Sequence, residues 1–425
     1  MKGKIRNFFW YAFVFTLPFQ TVWILRDVYI EGEKWEYASI LFYASDFFLL
    51  GFLTFFFLQI PRQKYGIFLK DGVVVSLLGM VIFSLFSCFW ALDFSIALFF
   101  TWKLFLSLGL FISVRYGDLS FSKTYKTFLV ALSIHIFLGL IQWTTQHSPE
   151  ITFLGLSEYE SWKPGVSVLK DESGRWLRSY GGFSHPNIFG GIMAIISLAS
   201  MCLVLGKEKK YNILWFFLPF SLWGLIFSFS RTTWIGFFFG WLFVMGGIIF
   251  WKEYKKFLFR WMFISFIVVC SLGIFFFPVR ELFFNRFPVE TLAQEKSFVE
   301  RQELFLQSKE LIQKNIWGVG AGNFTMWTKE HVFHKDSYIA QFQPVHNVFL
   351  LVFSELGIVG FLFFLMLIGF LFREGIKRRL LFSLGIFCTI LPFLFLDHWI
   401  WTSHFGIFFS FALIGFFFRS REEKV

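Results

Sequence analysis

Pro344-Val345-His346-Asn347, followed at once by VFLLVFSELGIVGFLFFLMLIGFLF (Val348–Phe372), is the stretch on which the reading of this chain turns. An almost uncharged apolar run of about 25 residues has the length of a membrane-crossing helix, and it starts directly after a histidine and an asparagine. Upstream, from Pro278 to Val345, the chain is mostly polar, whereas nearly every other connection between apolar runs is short. Long connections are uncommon unless they carry a function. A membrane protein that keeps one large polar excursion, with Arg and His at its edges, is expected to do chemistry at a membrane face.

The same kind of apolar run recurs along the chain. Its 425 residues are 56% hydrophobic and 24% aromatic, with seventy Phe and only 16% charged residues. A soluble domain carries about a quarter charged residues. About twelve runs of spanning length lie near 7–25, 39–60, 71–90, 96–114, 127–146, 187–205, 212–229, 232–251, 261–277, 347–372, 380–396 and 403–418. Lipid cannot satisfy open backbone groups, so each run is expected to be helical. The expectation is an all-α polytopic membrane protein in three parts. Residues 1–277 hold nine spans and an external loop at 147–184. Residues 278–346 form the large, partly helical external loop, and 347–425 hold three more spans and a tail. The first run lacks a small-residue cleavage site and reads as a retained anchor.

The net charge of +11 is a topology signal. Basic clusters fall in alternate connections, among them Lys2/Lys4/Arg6, Arg62/Lys64/Lys70, Arg115/Lys123/Lys126, Lys207/Lys209/Lys210, Arg373/Lys377/Arg378/Arg379 and Arg419/Arg421/Lys424. Intervening turns such as Ala91–Ser95 and Asp397–Thr402 carry no Lys or Arg. By the positive-inside rule both termini are cytoplasmic and the large loop is external. A nucleic-acid partner is therefore not expected. Cys88, Cys202, Cys270 and Cys388 are far apart and inside apolar runs, which reads as packing rather than disulfide or metal chemistry.

Within the loop, Glu295–Asn315 reads as an amphipathic helix. Phe298, Phe305 and Ile312 recur at heptad spacing, Leu304 and Leu311 widen the stripe, and Arg301 falls on it. Gly318-Val319-Gly320-Ala321-Gly322-Asn323 then breaks the helix into a tight turn. Arg231 sits at an external junction between two spans with almost no loop, where a cation is costly unless it snorkels, is paired or lines a wet cavity. His346 stands just outside its span, either as an interfacial hydrogen-bonding residue or as a functional one. Asn347 suits a helix cap, and Glu355 is an intramembrane carboxylate that calls for a partner or a role. Arg178, His185 and Asn187 open another span on the same side through Arg178-Ser179-Tyr180-Gly181-Gly182-Phe183-Ser184-His185-Pro186-Asn187. His185 reads as a helix-start residue and Arg178 either as exposed or as a phosphate contact. The glycines at 318, 320 and 322 lack the Lys-Ser/Thr of a nucleotide phosphate loop. No HExxH, EF-hand or carboxylate cage appears, so no metal or cofactor is expected.

Taken together, the motifs resemble the O-antigen ligase and O-antigen polymerase superfamily of bacterial envelope glycosyltransferases. They are Gly182–Asn187, Ser230-Arg231, Arg301 ahead of Trp317–Phe324, and His346–Leu350 leading to Glu355–Gly360, covering about 178–360. The resemblance implies a GT-C-like membrane fold in the inner membrane with the site facing the periplasm. It implies a metal-independent, inverting transferase that takes a glycan from a polyprenyl-pyrophosphate carrier. The acceptor would be a hydroxyl on lipid A–core, on another lipid-linked glycan or, less often, on a protein. Arg231, Arg301 and His346 carry over as the catalytic set, with Arg178, His185, Asn187, Asn347 and Glu355 as substrate contacts. A polymerase of the same superfamily is the alternative. A lipid-linked glycan transporter is the reading from another class, and it would place ionisable groups or broken helices at mid-membrane depth; Asp46, Lys103, Glu355 and Asp397 are the residues that keep it open.

Overall fold

Each apolar run from 39 onward folds around a helix in the computed structural model, which describes residues 2–30, 33–61, 65–163, 165–172, 174–206, 208–284, 296–332 and 342–419. Among the described residues, seven helices are long and apolar enough to cross a membrane: Phe94–Tyr116, Phe121–Thr145, Pro186–Val204, Lys209–Phe227, Arg231–Phe250, Lys252–Phe284 and Val348–Lys377. Ala44–Phe57, Gly72–Ser87, Leu381–Leu396 and His404–Phe417 are apolar but shorter. At 1.5 Å per residue the shortest reach only about 21 Å, against a hydrocarbon core of roughly 30 Å. The protein is a mostly helical integral membrane protein, in which seven of the expected twelve spans contain, among the described residues, a helix long and apolar enough to cross. Arg62, Lys64, Lys207, Arg421 and Lys424 of the basic clusters lie outside the described residues.

The first expected span needs correction. Its helix is Lys2–Thr16, and Val22–Arg26 is a strand paired antiparallel with Ile40–Tyr43. The β-branched and aromatic residues of Val22-Trp23-Ile24 suit a strand as well as a helix, and Pro18 ends the helical run. Further two-stranded ribbons join His147–Ser148 to Tyr159–Glu160 and Val168–Asp171 to Gly174–Leu177. The all-α expectation therefore fails in the polar segments and also at the edges of the first two apolar runs, where these strands lie.

Two features set the position of the functional residues. Pro186–Val204 is buried along its whole length. Gly190 and Gly191 let its first turns approach other elements closely, since a Cβ at these positions would stand 2.3 Å from Ser228 Oγ and 2.7 Å from Trp399. The second feature is a break. Val348–Lys377 is interrupted at Gly357, whose φ of 59° and ψ of −168° are accessible essentially to glycine alone. The freed backbone groups are taken up by the segment that follows the Lys296–Lys314 helix. Val319 N donates to Ser354 O at 3.0 Å, Gly320 N to Glu355 O at 3.0 Å, and Ile358 N to Ile316 O at 2.9 Å. The loop backbone thus substitutes for a helical turn. Asn323 ties the same turn to the next wall, accepting from Asp93 N at 2.7 Å.

The loop helix is Lys296–Lys314. Its buried stripe is Leu304, Ser308 and Leu311, while Phe298 and Phe305 are about half exposed (49% and 48%). The expected heptad of Phe298, Phe305 and Ile312 is thus not the packed face. The stripe follows the three-and-four spacing of a helix lying on one partner, here the broken Val348–Lys377 helix. Arg301 precedes Leu304 on that stripe and is half-buried.

Candidate active site

Three helix starts and one turn converge on a cavity of about 310 Å³, at the small end of ligand pockets. His346 reaches it from the end of the large loop, His185 and Asn187 from the start of Pro186–Val204, and Glu355 from just before the Gly357 break. Asp397 and His398 come from the turn after Leu381–Leu396. The opposite wall carries Glu36, Tyr37, Tyr43 and Lys103.

A continuous hydrogen-bonded chain fixes one side. The buried Arg178 guanidinium donates to Ser228 O at 2.7 Å, to Ser167 Oγ at 2.7 Å and to Asn187 Oδ1 at 2.8 Å. Asn187 Nδ2 donates onward to Asp397 Oδ2 at 2.8 Å. The amide orientation follows from its partners, because only the oxygen can accept from a guanidinium and only the nitrogen can donate to a carboxylate. The other Asp397 oxygen accepts the His398 amide at 2.8 Å. Arg178, one of whose two sequence readings was an exposed cation, is a buried brace. It lines no part of the cavity itself.

His346 packs edge-to-face on His398 at 4.8 Å between ring centroids. It is half-buried, and its Nδ1 is enclosed without a hydrogen-bond partner among the described residues. The segment before it is anchored by Trp35, whose Nε1 donates to Phe342 O at 2.9 Å. Asn347 follows as the cap, accepting from Leu350 N at 3.0 Å and donating to Phe395 O at 3.2 Å. Asn347 is thus occupied as a structural cap and is not among the cavity's lining residues. His185 caps its own helix, with Nδ1 accepting the Asn187 amide at 3.1 Å, and also faces the cavity. Glu355 is buried, accepts the Trp401 indole N–H at 3.1 Å and lies beside the amides of Gly322 and Phe324.

Neither arginine of the expected set is among the residues that line the cavity. Arg301 is close enough for its charge to bear on both His346 and His398. Burial first, then His398, then Arg301 hold the His346 imidazole well below the ordinary histidine range. His398 is lowered by burial and Arg301 against an opposing pull from Asp397. His185 is lowered by burial and by Arg178, again opposed by Asp397. Arg231 begins Arg231–Phe250 and is half-buried. Two residues before it, the fully buried Phe229 adopts a φ of 47°. A bulky side chain in that region is strained, and the junction holds it by packing Phe229 against Trp143 and Trp234. Ser228, on which Arg178 rests, is part of the same junction.

Sequence reading did not single out His398, Glu36 or Tyr37. The available signal for His398 was Asp397-His398-Trp399 in a turn on the same expected side as His346. His346, Asp397 and His398 place three potential ligand atoms within 4.8 Å of one another. Both Asp397 oxygens already accept hydrogen bonds, and His398 Nδ1 is 2.8 Å from Thr402 Oγ1. A cation held there would have to displace or share these bonds.

No curated protein matches the chain significantly. Residues 214–365 match the Wzy_C family model, O-Antigen ligase. That region, about a third of the chain, contains Arg231, Arg301, His346, Glu355 and the Gly357 break, and it is similar to the O-antigen ligase family.

Proposed function

We propose that the protein transfers a glycan from a polyprenyl-pyrophosphate carrier to an acceptor hydroxyl at the periplasmic face of the inner membrane, as an O-antigen ligase does. Support comes chiefly from one observation: the His346 imidazole lies in a cavity, beside Asp397–His398 and within reach of the Arg301 charge, inside the region matched to the family. The termini would be cytoplasmic, and the loop 278–346 would close over a membrane-facing site rather than fold as a separate domain.

In the proposed reaction the acceptor oxygen attacks the anomeric carbon while the bond from that carbon to the carrier pyrophosphate breaks. The leaving group keeps the electron pair, and a single displacement inverts the configuration. Arg301 and Arg231 would balance the charge that develops on the pyrophosphate, with geometry suited to its oxygens. His346 would take the hydroxyl proton or orient the hydroxyl. Its lowered pKa keeps it neutral before donor binding, and a bound anionic pyrophosphate would raise it toward a value useful to a base. Arg178 and Asn187 would hold Asp397 in place behind the histidines. His185 and Glu355 would face the glycan, and Asn347 would act through the cap that aims His346. No metal ion or cofactor is needed for this chemistry, because a pyrophosphate departs without a general acid.

The deciding experiment combines purified protein, a lipid-linked glycan and a candidate acceptor. Formation of a glycosidic product without ATP supports the reading, and absence of product while the glycan crosses a vesicle bilayer replaces it with transport. The broken Val348–Lys377 helix favours that second reading, since transporters use such breaks. Here, however, loop backbone occupies the break. Gene deletion separates the two transfer reactions: a ligase mutant retains long chains on the carrier, and a polymerase mutant retains single repeats.

A further inference from the structure

A second cavity, of about 1190 Å³, lies at the other end of the bundle. His346 precedes the first residue of Val348–Lys377, while Arg373 and Lys377 lie in its last turns, roughly 40 Å away at 1.5 Å per residue. The cleft wall carries seven cations (Arg6, Lys70, Arg115, Arg373, Lys377, Arg378 and Arg419) against three carboxylates. Each carboxylate is already engaged. Asp118 pairs with Arg6 at 2.7 Å, Asp71 with Arg115 at 2.5 Å, and Glu374 with Arg115 at 2.9 Å and Arg378 at 2.7 Å.

That pairing leaves the excess positive charge at the mouth. The side chains of Lys70, Arg373 and Lys377 are exposed and have no partner among the described residues. Deeper in, Arg6 Nε is buried without a hydrogen-bond partner among the described residues, an N–H that a phosphate oxygen in the cleft could satisfy. The remaining wall is apolar, from Phe56, Ile60, Ile67 and Phe370. The positive-inside rule accounts for cations on this face. It does not require them to converge on one concavity beside an apolar wall.

We infer that this cleft binds the phosphodiester headgroup of an anionic phospholipid, with Lys70, Arg373 and Lys377 on the phosphate and the acyl chains along the apolar wall. Basic pockets between membrane helices are suited to such headgroups. A ligand that binds only the folded protein raises its melting temperature.

The test uses the full-length protein in neutral detergent, with phosphatidylglycerol, phosphatidylcholine or inorganic phosphate added. Phosphatidylglycerol should raise the melting temperature by roughly 3 to 5 °C and appear as a bound adduct in native mass spectrometry. The triple variant Lys70→Gln/Arg373→Gln/Lys377→Gln should lose both effects. The double variant Lys252→Gln/Lys255→Gln, basic residues outside the cleft, should keep them. The inference is overturned if phosphatidylcholine or inorganic phosphate gives the same shift, or if the triple variant keeps the phosphatidylglycerol effect. Equal losses in both variants would overturn it too. Should the triple variant melt lower on its own, the wild-type adduct decides: selective retention of phosphatidylglycerol over phosphatidylcholine supports the site, and equal retention rejects it.

Discussion

The two ends of the Val348–Lys377 helix use polar residues in opposite ways. Around its first residues the side chains are neutral or balanced, close together and locked by hydrogen bonds from Arg178 through Asn187 to Asp397. Around its last turns the residues are mostly cationic, and several at the cleft mouth have no partner among the described residues. A reaction needs groups whose positions and protonation states are fixed before substrate arrives, whereas recognition of a charged headgroup needs mainly a concentration of opposite charge. The contrast teaches that net charge is a poor guide to where chemistry happens in this protein.

The contrast breaks most visibly at His346. Replacing it with Ala should lower transfer by about 10²- to 10⁴-fold, the usual range for a general base, with little change in melting temperature. Arg373→Gln/Lys377→Gln should stay within about twofold under the same assay, as far-end charges take no part in the reaction. A comparable loss in both variants would show that the ends are not functionally separate.

Gly357→Ala should come next, through structure rather than chemistry. A Cβ there would stand 2.2 Å from Trp317 C in a backbone conformation that L residues avoid. The expected destabilisation is roughly 2 to 4 kcal/mol. Because the displaced partner is the loop backbone, activity should fall further than the fraction unfolded accounts for. Unchanged unfolding and activity would mean that the break does not position the loop.

Much of this division was legible in the chain. Apolar run lengths gave the helices because a lipid-embedded backbone has few alternatives, and the histidine and arginines were legible because polar groups at a membrane edge are conspicuous against seventy Phe. Four things were not legible. Val22–Arg26 is as apolar as a helix, and only its pairing with Ile40–Tyr43 decides the matter. Arg178 gave no sign of burial, because its partners are a carbonyl 50 residues away and an Asn whose own partner is Asp397, 210 residues further along. His398 was passed over for the same reason, since its ring matters through contact with His346 across a long separation in sequence. Glu355-Leu356-Gly357 and Trp317–Asn323 stood out separately, yet nothing in either segment says that the two interlock.

Arg178→Ala tests the locked side of the comparison. It removes a buried cation that braces Asn187, and leaves Asn187 Oδ1 and Ser228 O without that donor. The expected cost is about 3 kcal/mol in unfolding free energy. Arg178→Lys should recover only part of it, because one ammonium cannot reproduce the three-way guanidinium geometry. Full stability in the Ala variant would show the chain from Arg178 to Asp397 to be incidental.

The finest test concerns protonation. Burial, the neighbouring His398 and the Arg301 cation favour neutral His346, so without donor it stays unprotonated at pH values below the ordinary 6.5. The acid limb of kcat/KM, which reports the free enzyme, should therefore lie well below pH 6.5. In Arg301→Gln one source of repulsion is gone, the imidazole protonates more easily, and that limb should move to higher pH by a few tenths of a unit. Folding stability carries the same sign. A histidine lowered in the folded state contributes its share in full above the unfolded value of 6.5 and loses it as pH falls through the folded value. Melting temperature measured from pH 7 downward should decline below 6.5, and less steeply in His346→Gln. A limb that stays fixed in Arg301→Gln, or moves to lower pH, would remove Arg301 from the electrostatics of the site. It would leave His346 governed by burial and His398 alone.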